Sequence, residues 1–97
     1  ALRETEDALV SLGAVQAMLQ QQSARVAASR EALRLMTARF AEGEGERVDV
    51  LAAEGALIEA QAALSAVQAQ HHQAVIAVHR ALGGGWDPAA KRTVAGV

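Results

Sequence analysis

Leu12, Leu19, Val26, Leu33 and Phe40 recur every seven positions along the first half of the chain, and Ala8, Val15 and Met36 lie on a second row of the same register. A seven-residue spacing places side chains on one stripe of an α-helix, so the pattern predicts a long helix with a narrow seam. Gln22 and Ser29 fall on the second row, which leaves the seam half apolar and half small or polar. After an interruption the pattern resumes with Val50, Leu57, Leu64, His71 and Val78, beside a row of Ala53, Ala60, Val67, Ala74 and Ala81. Large residues on one row facing alanines on the other let two helices approach closely, and a strict seven-residue repeat favours gently supercoiled, nearly antiparallel packing.

The interruption is the run Glu42, Gly43, Glu44, Gly45, Glu46. Two glycines within three residues can take positive φ and end the first helix, and the chain is expected to turn back there. Glu46 and Asp49 then stand where unpaired N–H groups and the positive end of the helix dipole favour carboxylates. The second helix is expected to stop at the glycine triplet 83–85, which follows Arg80 and Leu82. The prediction is an all-α, coiled-coil-like antiparallel helical hairpin: helix over about 2–41, turn over about 42–47, helix over about 48–82, and a C-terminal tail over 83–97.

Composition narrows the picture. Alanine supplies much of the 52% hydrophobic fraction, and Phe40 and Trp86 are the only aromatic residues, so a conventional globular core is not expected. Two helices of this length would each run roughly 50 to 60 Å at 1.5 Å per residue while burying a single stripe, a gain that conformational entropy nearly cancels. Other helices must cover the remaining faces, which makes the chain a stave of a larger helical assembly. It begins at Ala1 inside a helical pattern, with no initiator methionine and no basic-then-apolar leader, and reads as part of a longer protein.

Charge and chemistry exclude several classes. Nine basic and 11 acidic residues nearly balance, which gives no electrostatic footprint for nucleic acid. The longest unbroken apolar run, 74–78, is far below the roughly 20 residues of a membrane-crossing helix. There is no cysteine, hence no disulfide or thiolate chemistry. His71, His72 and His79 lack the i, i+4 spacing and the nearby carboxylate of a helix-borne metal site, so no metal and no cofactor are expected. No nucleophile elbow or phosphate loop is present, and the chain does not read as an enzyme. The carboxylates of Glu42, Glu44, Glu46 and Asp49 fall within eight residues. They read either as solvated turn charges, partly offset by Arg39 and Arg47, or as a cation-favouring ring if several copies bring their turns together.

The residues also carry a resemblance. The run Ala38, Arg39, Phe40, Ala41, Glu42, Gly43, followed by Val48, Asp49, Val50, Leu51, Ala52, Ala53, resembles the hairpin tip of TolC-like outer membrane factors. The start, Ala1, Leu2, Arg3, Glu4, Thr5, Glu6, Asp7, Ala8, Leu9, is similar to the segment after that family's second membrane hairpin, and Arg80, Ala81, Leu82, Gly83, Gly84, Gly85, Trp86 to its closing signature. The turn departs from the family in carrying Glu44, Gly45, Glu46 and Arg47 where apolar or hydroxyl residues are usual. His79 stands near the end where a tyrosine is common.

The resemblance implies a homotrimer of a longer protein in the cell outer membrane, with this hairpin in the periplasm as one piece of a trimeric α-barrel. The membrane would be reached only through segments outside this chain. It further implies that the turn, Gly43, Glu44, Gly45, Glu46 and Asp49, meets a periplasmic adaptor protein working with an inner-membrane pump. Two rivals share the period and length: the α-hairpin of the adaptor itself, and a soluble coiled-coil scaffold.

Overall fold

The computed structural model describes residues 2–83, and the expected tail lies outside them apart from Gly83. Two helices, α1 (Leu2–Ala41) and α2 (Arg47–Gly83), fold back on each other as an antiparallel hairpin, with no strand among the described residues. The fold is all-α and extended, with a longest dimension of 65 Å and a shortest of 13 Å. Alanine, leucine and glutamine recur through both segments, and the one proline, Pro88, follows them, so neither backbone ladder is interrupted.

Burial follows a single stripe on α1 and a matching stripe on α2, beside which Ala63, Val75, Ile76 and His79 are also half-buried. On α1 the half-buried or buried positions are Thr5, Ala8, Leu12, Val15, Leu19, Gln22, Val26, Ser29, Leu33 and Met36, alternately three and four residues apart. On α2, Val50, Ala53, Leu57, Ala60, Leu64, Val67, His71, Ala74, Val78 and Ala81 repeat that spacing. The alanine row permits the close approach: Ala60 is 0% exposed, and Val26, Val67 and Val78 are the other buried residues among those described.

Phe40 departs from its row. It continues the spacing of Leu12, Leu19, Val26 and Leu33 yet remains 42% exposed. It stands in the last turn of α1 and α2 starts only at Arg47, so the facing position is occupied by the turn and not by a helix.

The far side of α2 is apolar as well. Val48, Leu51 and Ile58 are exposed, Ile58 at 65%, and with Gly55 and Ala62 they form a second stripe at alternating spacings of three and four. By length and composition α2 meets the criterion for a membrane-crossing helix, with a mean hydropathy of 1.4 over 18 residues, which counting unbroken apolar runs did not reveal. Its apolar surface is, however, divided between the seam and the outer stripe. Alongside it lies α1, whose Arg25, Arg30, Glu31 and Arg34 are exposed and would be costly to carry into a bilayer.

Candidate functional site

The turn between the helices is built by backbone hydrogen bonds around one glycine. Gly43 has φ of 79°, and it is the only described residue with a positive φ. Its N–H donates to the Phe40 carbonyl at 3.1 Å, and the Glu44 N–H donates to the Arg39 carbonyl at 2.9 Å. Those two bonds are the paired closure of a Schellman motif, in which a left-handed residue just past the helix satisfies carbonyls that would otherwise be orphaned. The Glu42 N–H is shared between Ala38 at 3.1 Å and Arg39 at 3.2 Å. Gly45 does not use the left-handed freedom that its residue type suggested. It lies half-buried against the end of α1, where an added Cβ would meet the Arg39 Cβ at 3.5 Å, an ordinary contact distance.

Asp49 opens α2. Its Oδ2 accepts from the Glu46 N–H at 3.3 Å, while its own N–H donates to the Glu46 carbonyl at 3.1 Å. This is the half of a capping box in which the third helical residue reaches back to the residue before the helix, and the carboxylate also lies at the positive end of the α2 dipole. Glu42, Glu44 and Glu46 are exposed with Asp49, so one end of the rod carries four solvated carboxylates.

The histidines are spread along α2. His71 lies half-buried in the seam, His79 is half-buried and His72 is exposed. Among the described residues no group of three or more His, Cys, Asp and Glu side chains is placed to hold a metal ion.

Two features lay beyond sequence reading. The Thr5 hydroxyl donates to the Ala81 carbonyl at 3.2 Å and fastens the open end of the hairpin. Beside it a shallow groove of about 350 Å³ is lined by Glu4, Ala8, Ala77, Arg80 and Ala81. It is at the opposite end from the acidic turn. A third feature, Gln22, was visible as a polar residue in an apolar row, and its amide oxygen is buried without a hydrogen-bond partner.

The turn end thus combines a glycine-sealed turn, a capped helix start and four exposed carboxylates, carried on a two-helix rod. No match to the chain is found among curated proteins or solved structures. A family model described as outer membrane efflux protein matches residues 1–84, taking in both helices and the turn between them. The chain belongs to the outer membrane efflux protein family.

Proposed function

We propose that this hairpin is a wall element and gate of the periplasmic tunnel of a TolC-like channel, contributed by each protomer of a homotrimer in the outer membrane. The single observation that carries the reading is the family match across the whole hairpin. The fold supports it physically. A two-helix rod with four buried residues among those described leaves most of its surface for neighbours, and the outer stripe of Val48, Leu51, Gly55, Ile58 and Ala62 gives α2 a second face for lateral packing. In this reading small molecules pass by passive export, and opening is a change of helix packing with no chemical step. Seams lined by alanine rearrange at modest cost, which suits a gate whose state a partner must bias.

The turn is the end that meets partners. Gly43, Glu44, Gly45, Glu46 and Asp49 would contact the hairpin tip of a periplasmic adaptor, which couples the channel to an inner-membrane pump. Threefold symmetry would gather roughly a dozen carboxylates from Glu42, Glu44, Glu46 and Asp49 around the tunnel mouth and favour cations there. The test is conductance of the reconstituted full-length channel with all four residues replaced by Gln or Asn. Cation preference should fall, and unchanged ion selectivity would remove the pore-mouth reading.

A further inference from the structure

We propose that Gln22 is a destabilising layer set into the middle of the seam, which keeps the hairpin ready to part at mid-length. The Gln22 amide oxygen is closed off from solvent and has no hydrogen-bond partner. Stepping equally along both helices from the Thr5–Ala81 bond brings Gln22 level with Leu64. Val26 and Ala60 form the layer on the turn side, and Leu19 and Val67 the layer toward the open end. None of these five side chains carries a polar group, and Val26, Ala60 and Val67 are three of the four buried residues among those described. The orphan oxygen thus sits where the seam is otherwise best sealed.

Alignment of the helices does not require this residue. A lone polar side chain in an apolar seam often fixes register, but here the short turn around Gly43 and the Thr5–Ala81 bond already fix which residues face each other. What distinguishes Gln22 is the state in which its cost is relieved. Closed, the seam denies the amide oxygen a partner; parted, water supplies one. The residue therefore favours the parted arrangement over the closed one, and a leucine there would not. Its service as part of a gate rests on the channel reading above, whereas its effect on the seam does not.

The experiment separates the two. In the 97-residue chain, Gln22→Leu is compared with Gln21→Leu, an exposed neighbour that controls for helix propensity and added hydrophobicity. Circular dichroism melting should show more retained helix for Gln22→Leu at every temperature, and amide exchange around 19–26 and 60–67 should slow about tenfold, with Gln21→Leu within about twofold of the parent. A Gln22→Leu chain no more protected than Gln21→Leu overturns the inference. In the full-length channel, Gln22→Leu should lower the open fraction several-fold. A stabilised chain with unchanged opening would instead overturn the gating role of Gln22 and leave its effect on the seam standing.

Discussion

The Thr5 hydroxyl and the Ala81 carbonyl, 76 residues apart in sequence, are joined at 3.2 Å and tie the first turns of α1 to the last turns of α2. The bond gives a carbonyl near the C-terminal end of a helix a partner where intrahelical donors are running out. Thr5→Val keeps the shape and removes the donor. It should cost about 1 kcal/mol, the net worth of one part-buried hydrogen bond, and Thr5→Ser should recover most of it. Thermal melting of the 97-residue chain checks the order parent, Ser, Val.

The two turn glycines should respond differently to alanine. At Gly43 the space is open but φ is 79°, so Gly43→Ala pays the left-handed penalty of roughly 1–2 kcal/mol. Gly45 has no such constraint, and its new Cβ meets Arg39 at contact distance, so Gly45→Ala should stay within about 0.5 kcal/mol of the parent. Urea titration of both variants distinguishes conformational need from simple glycine content.

Gly13 and Gly55 lie inside the helices, exposed, with nothing within 4 Å of an added Cβ. In the isolated chain each should be stabilised by alanine, by about 0.5–1 kcal/mol. Gly55 belongs to the outer stripe of α2, so the same change in the assembled protein would test a tighter environment. A gain in the chain together with a loss of assembly would show that a neighbouring helix needs the missing side chain.

Glu31 and Arg34 form an exposed two-point pair, with Nη2 to Oε1 at 2.6 Å and Nε to Oε2 at 2.9 Å. The hydrogen bond from Arg34 holds the Glu31 carboxyl below the usual range, and the same bond raises Arg34. A lowered carboxyl contributes stability above the ordinary carboxylate value and loses it as pH falls through its own lower value. Glu31 should therefore titrate below the ordinary glutamate value by NMR, and Arg34→Gln should return it toward that value. Salt should weaken the effect.

The hairpin was readable because a seven-residue repeat has one geometric meaning when alanine and leucine carry it and proline does not interrupt it. Phe40 shows where such reading stops. Spacing alone assigned it to the seam, but the opposing helix had not yet begun. The glycines show a second limit: residue type permits a positive φ at both Gly43 and Gly45, and only the hydrogen-bond closure around Arg39 and Phe40 selects one. The Thr5–Ala81 bond was beyond reach, since it depends on the register of two ends far apart in sequence. The exposed carboxylates were legible as a cluster.

A body 65 Å long and 13 Å across its thinnest direction has almost no inside. Nearly every side chain lies at a boundary, so substitution patterns among its relatives should record the surfaces they touch more than the hairpin itself. Positions silent in the lone chain, such as Ile58, should then be among the least free to vary, and those toward open water, such as Arg30, among the most.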